Sequence, residues 1–399
     1  MHLKNLQKAR NNIKEVILKT PLIYSPFFSK EAKNTIYIKC ENLQITGAYK
    51  IRGALNKISS LSEEERKLGV ICSSAGNHAQ GVAYASNMLG VRSTIVMPKN
   101  TPFLKVQSTK NYGGNVILYG DCYDDAYLKA KEIEKETGSI FIHPFNDLNV
   151  IYGQGTIALE IFEQLNNVDM IICPIGGGGL ISGIALAAKE INPSVQIIGV
   201  QAEGANAMEL SFKNKKLTSL NSVNTIADGI AVKSPGKQTF NIIKDFVDNI
   251  ITVSDNEISK SFLDLCEKQK LVVEASGATS LAALKKINVT NKNIVSVVSG
   301  GNIDMLTISS LLKDGLVKRK RLFCFSLELP NCPGQIYKIS KALYELNANV
   351  VQLEHNQFKA GNRIKNVLLE ATVETNGEEH IKLIKDEFLN IGYKIKQIF

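Results

Sequence analysis

The sequence predicts an α/β protein: open, mainly parallel sheets wrapped by helices, followed by a small unit of α+β type. Two observations carry this. From about residue 36 to 310, short β-branched runs alternate with longer amphipathic segments, the signature of parallel strands with helices on both faces. After a basic stretch at Lys313–Arg321 the pattern becomes strand, helix, strand, strand, helix, strand, a ferredoxin-like order. A chain of 399 residues, 44% hydrophobic and 21% charged, is also too long for one ordinary core and has the composition of a globular protein.

Taken in order, the expected strands of the first region include "TIYIKC", "GVICSS", "STIVMP", "NVILYG", "MIICPI", "VQIIGV" and "NIVSVVSG". Between them "NHAQGVAYASNMLG", "CYDDAYLKAKEIEKETG" and "GGLISGIALAAKEIN" read as helices. Ligands in such folds sit where strand ends meet helix starts, so chemistry is expected at strand C-termini. In the second region "RLFCFSLEL", "ANVVQLEHNQF", "KNVLLEATVET" and "YKIKQIF" read as strands, with a turn at "KAGNR". The helices there are "CPGQIYKISKALYELN" and "GEEHIKLIKDEFLNIG", and the basic stretch reads as the linker between the two regions.

Several classes are set aside. Net charge is +9, from 47 basic and 38 acidic residues, but the two signs alternate along the chain, which marks a solvated surface and no nucleic-acid patch. The longest uncharged run, Met170 to Ala188, is interrupted by Pro174 and four glycines, so no membrane span is expected. The charged opening "MHLKNLQKARNNIKEV" has no apolar core of a secretory signal. Seven cysteines without a C-x-x-C spacing fit reduced thiols and a cytoplasmic protein. The five histidines are dispersed, so no zinc cluster is expected.

Three stretches carry chemistry. "PIGGGGL", Pro174 to Leu180, lies between an apolar strand and a helix, where side-chain-free backbone amides at a helix start form an anion site. No Gly-Lys-Ser/Thr follows, so it is no Walker loop. Gly177, Gly179 and Gly183 match a dinucleotide fingerprint loosely, with the next strand ending near Glu203. A nicotinamide-cofactor oxidoreductase therefore stays open beside a phosphate cradle, and so does a tightly packed turn. Lys50 follows Gly47 at the start of a helix expected near Tyr49, where dipole and burial would favour the neutral amine that carbonyl condensation needs. "SSAGNH", Ser73 to His78, and "SGGN", Ser299 to Asn302, each end a strand. They offer free amides for a carboxylate and a hydroxyl for a ring nitrogen, or ordinary turns.

Together these segments resemble the fold-type II pyridoxal phosphate enzymes, and most closely the threonine dehydratases (threonine ammonia-lyases). The likeness runs from about Thr20 to Leu312 through "TPL", "KCENLQITGAYKIRGA", "SSAGNHAQGVA", "VMPKN", "HPFND", "GQGTIALEI", "PIGGGGLISGIA", "TIADGIAV", "VVEASGA" and "SGGNID". One departure is Ala48-Tyr49, where many relatives have Ser-Phe. The resemblance implies a catalytic domain over 1–315, its smaller lobe at about 41–145, and pyridoxal 5'-phosphate as cofactor. By the same likeness Lys50 would hold the cofactor as a Schiff base and take the substrate Cα proton. Asn77 would contact the 3′-oxygen, Gly176, Gly177, Gly178, Gly179 and Leu180 the phosphate, and Ser299 the pyridine nitrogen. Ser74, Ala75, Gly76 and His78 would hold the substrate carboxylate. The implied reaction converts L-threonine to 2-oxobutanoate and ammonia, with L-serine to pyruvate beside it. In the related serine racemases a serine directly before Gly-Asn-His is the second base; here that place is Ala75, so dehydration without racemisation is expected. Racemase-like relatives also hold a cation near positions matching Glu203, Ala207 and Glu209. The tail, residues 321–399, resembles an ACT domain, which implies a branched-chain amino-acid effector and a homo-oligomer, dimer or tetramer. A non-catalytic amino-acid sensor is the remaining alternative, and it would have been expected to lose one of Lys50, Asn77 and Ser299.

Overall fold

The computed structural model describes residues 2–356 and 365–399. The chain divides into two compact units, Met1–Asp304 and Met305–Phe399. The first unit contains β1 (Leu22–Tyr24), β2 (Thr35–Cys40), β3 (Val70–Ser73), β4 (Ser93–Met97) and β5 (Asn115–Leu118), then β6 (Ile140–Phe141), β7 (Met170–Pro174), β8 (Gln196–Ala202), β9 (Asn249–Val253) and β10 (Asn293–Val298). They form two sheets, one in the order β1-β2-β10-β7-β8-β9 and one in the order β5-β4-β3-β6. All pairings are parallel except the edge strand β1, which runs antiparallel to β2.

The parallel strands are apolar because both faces are covered. Every residue of β7 is buried, and β10 is buried from Ile294 to Val298. The helix Gly179–Ile191 is buried from Gly179 to Ala188. It crosses the helix Leu148–Gln164 so closely that a Cβ on Gly155 would lie 2.7 Å from the carbonyl oxygen of Gly183. Gly183, one of the three glycines of the loose dinucleotide pattern, therefore serves helix packing. The apolar core around these helices includes Ile171, Ile181, Ile184, Leu186, Val295 and Val297. β1, β6 and β9 lie outside the strand runs named above; two of them are only two or three residues long, too short to register as alternation.

The second unit begins with the helix Met305–Lys318. The basic stretch expected as a linker is thus largely the last turns of a helix, followed by a turn to β11 (Leu322–Pro330). Lysine is a good helix former, and Leu306, Ile308, Leu311, Leu312, Leu316 and Val317 supply a helical apolar pattern that the basic charge masks. The helix Gln335–Glu345, β12 (Val350–Asn356), β13 (Asn366–Glu374), the helix Glu378–Asn390 and β14 (Lys396–Gln397) complete the unit. Its antiparallel sheet has the order β12-β13-β11-β14, so the βαββαβ sequence of elements is present, with a last strand of only two residues. Phe323, Phe325, Leu327 and Leu329 alternate along β11 into a core with Ile339, Leu343, Ile384 and Phe388. The expected turn "KAGNR" lies outside the described residues.

Candidate active site

The sequence-predicted residues of the first unit converge at the carboxyl ends of its strands, as parallel sheets dictate. Lys50 is the first residue of the helix Lys50–Ser59, reached from β2 by a turn in which Gly47 takes φ 70°. Its Nζ donates to the carbonyl oxygen of Pro144, 2.9 Å away, and lies 5.2 Å from the Tyr49 ring centroid. Burial pushes the Lys50 amine down to about 8, against the pull of the Glu274 carboxylate. A lysine that readily sheds its proton is what the sequence leads one to expect here.

The helix that starts at Lys50 is held rigidly. A Cβ on Gly81 would lie 3.0 Å from the Ile51 nitrogen, and one on Gly153 would lie 2.6 Å from the Gly53 Cα. Arg52, fully buried, donates to Glu41 at 2.7 and 2.9 Å and to Glu160 at 2.6 and 3.0 Å. Glu160 also accepts from buried Lys39 at 2.6 Å. Two cations and two carboxylates thus balance each other inside the protein, the condition under which buried charge is tolerated. The sequence shows these residues only as isolated charges in apolar surroundings, so this quartet was not foreseen.

Asn77 opens the helix Asn77–Met88 and is bound at both ends. Its Nδ2 donates to Glu274 Oε1 at 2.8 Å, and its Oδ1 accepts from Asn302 Nδ2 at 2.8 Å. That leaves one N–H of the Asn77 amide for a further acceptor. Burial, reinforced by the Asp228 carboxylate, pushes Glu274 up to about 7, while the Asn77 hydrogen bond, Lys105 and Lys50 act the other way. Ser299 follows β10 and is buried; among the described residues its hydroxyl has one long contact, 3.5 Å to the Ser276 carbonyl oxygen. The Ser276 hydroxyl, also buried, has no partner among the described residues. Glu274 and Asn302 stand in quoted segments, yet sequence reasoning gave neither a role. A glutamate at a helix N-cap looks ordinary until its burial is seen.

The glycine loop follows β7, and Gly178, at φ 94°, is the N-cap of Gly179–Ile191. Protein atoms approach all four glycines. A Cβ on Gly177 would strike the Phe145 ring, one on Gly179 would lie 2.9 Å from the Phe145 Cα, and one on Gly178 would lie 2.8 Å from Ile243 Cδ1. On Gly176 it would lie 3.0 Å from the Ile230 Cα. Close packing thus bears on every glycine of the run, the tightly packed turn that the sequence left open beside a phosphate cradle. The anion capacity lies in the backbone. Among the described residues the amides of Gly176, Gly177 and Gly178 donate no backbone hydrogen bond, and those of Gly179 and Leu180 begin a helix and lack intrahelical acceptors. Thr239 Oγ1 donates to the Gly177 carbonyl oxygen at 2.7 Å, turning the loop's acceptor away from its donors.

Ser74, Ala75 and Gly76 lead into Asn77, with the Gly76 amide donating to Ser74 Oγ at 3.3 Å. A Cβ on Gly76 would meet nothing within 4 Å, so this turn borders open space. The His78 side chain instead turns into the core. Its Nε2 donates to the Ile142 carbonyl oxygen at 2.8 Å, and burial first, then the Lys50 charge, pushes it down to about 3. A neutral imidazole so engaged leaves the backbone of His78, at a helix start, for any anion. Glu203 is exposed, and the Glu209 carboxylate pairs with Lys213. Among the described residues no group of three or more His, Cys, Asp or Glu side chains is arranged to hold a metal, and no helix is long and apolar enough to cross a membrane.

An amine shedding its proton at about pH 8, a run of free amides at a helix start, and a buried hydroxyl with scarcely a partner meet at one set of strand ends. Pyridoxal phosphate can use these groups: an amine for its aldehyde, dipoles for its phosphate, and a hydrogen-bond partner for its ring nitrogen. Residues 13–300 match the family model of the pyridoxal-phosphate dependent enzymes. An L-threonine ammonia-lyase of Thermotoga maritima is 43% identical over 395 residues, covering 99% of this chain and 98% of the relative. Among solved structures, the processed form of threonine deaminase isoform 2 from Solanum lycopersicum superposes with a TM-score of 0.76 at 37% identity, over 78% of this chain and 87% of that one. Maize serine racemase gives 0.75 at 38%, over 79% and 98%. Fold, site and likeness agree, against a nicotinamide site: the chain belongs to the pyridoxal-phosphate dependent enzyme family.

Proposed function

We propose that this protein is an ammonia-lyase that dehydrates and deaminates L-threonine to 2-oxobutanoate and ammonia, and also acts on L-serine to give pyruvate. The desolvated Lys50 amine, held on the Pro144 carbonyl oxygen beside the glycine loop, carries the reading. Lys50 would bind the cofactor, Asn77 its 3′-oxygen, Gly176 to Leu180 its phosphate and Ser299 its ring nitrogen. Bound pyridoxal phosphate supplies the electron sink that acidifies the substrate Cα. With its affinity for protons lowered toward neutrality, Lys50 takes the Cα proton at Nζ as a general base. Amides from Ser74 to His78, at the N-terminus of the helix Asn77–Met88, orient the substrate carboxylate. Phe145 and Ile230, packed against the loop, keep water from beneath it.

Elimination is favoured over racemisation because Ala75, on the turn before Asn77, has no proton to transfer. The C-terminal unit, with its βαββαβ order, is read as an ACT domain that binds a branched-chain amino acid and joins copies of the chain. All seven cysteines are free, which supports a reducing cytoplasm. The test is borohydride reduction of the yellow holoenzyme, peptide mapping, and kinetics with both substrates. We expect the reduced cofactor on Lys50, keto acid from both substrates with little D-serine, and a loss of about 10³-fold or more in kcat for Lys50→Ala. Label elsewhere, or D-serine formed as fast as pyruvate, would sink the reading.

A further inference from the structure

Glu274 sits at the centre of the site, and the mechanism above does not use it. It is 7% exposed. Its Oε1 is bound by Asn77 Nδ2 at 2.8 Å, and a Cβ on Gly300 would lie 2.6 Å from that same oxygen. The bare backbones of Gly300 and Gly229 therefore make room for this carboxyl group. Asn77 is in turn held by Asn302, whose Nδ2 also donates to the Thr46 carbonyl oxygen at 2.7 Å and to Gln80 Oε1 at 3.3 Å. Asn302 lies beneath the turn at Gly47, where a Cβ would be 2.9 Å from its Cγ. A continuous polar relay, Asn302 to Asn77 to Glu274, thus ties the turn before Lys50 to a buried carboxyl group whose charge acts on the Lys50 amine.

Resting on the cofactor assignment above, we propose that Glu274 is a positioning residue for the reaction: it fixes the orientation of the Asn77 amide, and its charge sets the protonation state of the nitrogen at Lys50. The charged groups that act on it are Asp228, Lys105 and Lys50, and its own charge acts on the Tyr49 hydroxyl. Asp228 opposes its ionisation, whereas Lys105, paired with Asp228 at 3.0 Å, and Lys50 favour it. The consequence has a definite sign. When Glu274 is ionised, a cation at Lys50 is stabilised; when Glu274 takes up a proton, near pH 7, that hold is lost.

The experiment is a pH titration of the bound cofactor's visible absorbance in the full-length holoenzyme, with kcat/KM followed over the same range. Glu274→Gln keeps an oxygen for Asn77 and removes the charge. Its absorbance midpoint is expected to fall by about one pH unit, a tenfold change in the acid constant, and the acidic limb of kcat/KM near neutrality to flatten. Asp228→Asn, outside the relay, makes Glu274 easier to ionise, so its midpoint is expected to rise or hold. A Gln variant that titrates where the wild type does overturns the role of Glu274 while leaving the cofactor assignment intact. If the Gln variant does not fold, a fall of the midpoint in Asp228→Asn overturns it instead. A wild-type chain without cofactor absorbance overturns the assignment itself, and the proposal with it.

Discussion

At the scale of single residues, burial decides what each titratable group can do. His78 and His143 are pushed down to about 3 and 4, mainly by burial and then by the Lys50 charge, while Glu274 is pushed up to about 7. Between pH 4.5 and 6.5 the unfolded chain protonates both histidines, which the native protein keeps neutral. Over the same window the native protein keeps a proton on Glu274 that the unfolded chain has released. Two protons against one leave the unfolded state the richer by about one, so stability should fall on acidification by about 1.4 kcal/mol per pH unit. His78→Gln can retain a donor to the Ile142 carbonyl oxygen and removes one of the two histidine terms. We expect its denaturant midpoint to be nearly flat across this window, where that of the wild type declines. Equal slopes in the two proteins would show that His78 does not control acid sensitivity. Lys50, Asn77 and Ser299 could be singled out in the sequence because their neighbours form a recurring pattern. Glu274 and the Arg52–Glu41–Glu160–Lys39 quartet were not, because their meaning lies in partners up to 197 residues distant and in a burial that no local window reveals.

At the scale of elements, alternation of β-branched runs and amphipathic segments was enough to find the strands that carry the site, since fully buried parallel strands are nearly continuous apolar runs. It did not single out β1, β6 or β9, the first two of which are too short for propensity to mark, and it read the end of the helix Met305–Lys318 as a linker. The glycine loop shows the finer limit. The run of glycines pointed to an anion site, but the backbone donors and the need for glycine have separate causes: the donors come from the helix start, the need from Phe145, Ile230 and Ile243. These causes can be separated by substitution. Gly177→Ala drives a methyl group into the Phe145 ring, and overpacking of this kind costs about 1–3 kcal/mol. It should lower the denaturation midpoint and weaken cofactor binding by about tenfold or more. Gly76→Ala meets no atom within 4 Å and should leave stability within about 1 kcal/mol of wild type. Equilibrium unfolding and cofactor titration of both variants check this; similar losses at the two sites would mean that space is not what distinguishes them.

At the scale of the whole molecule, the chain is a large α/β unit with its own core and a smaller antiparallel unit with another. The smaller one has no fewer than nine paired positions between β11 and β13, which gives it a robust centre, yet β12 is an edge strand carrying exposed Val350, Val351 and Leu353. A strand that is an edge among the described residues and carries exposed apolar side chains is suited to pairing with another chain, in keeping with the oligomer proposed above. A unit that pairs copies and binds an effector shifts activity only through a difference in affinity between two states of the assembly. Titration of isoleucine and valine against the full-length enzyme is therefore expected to move the substrate concentration at half-saturation and to sharpen its saturation curve. A chain ending at Asp304 should keep a hyperbolic curve that neither amino acid moves, because the described core cluster around the helix Gly179–Ile191 runs from Leu6 to Val297, within the first unit. Coupling free energies of this kind are about 1–3 kcal/mol, so a shift of about fivefold or more in half-saturation is expected. Light scattering on both proteins should show the shorter chain in a smaller assembly. A full-length enzyme indifferent to both amino acids would leave the second unit as a pairing module without an effector.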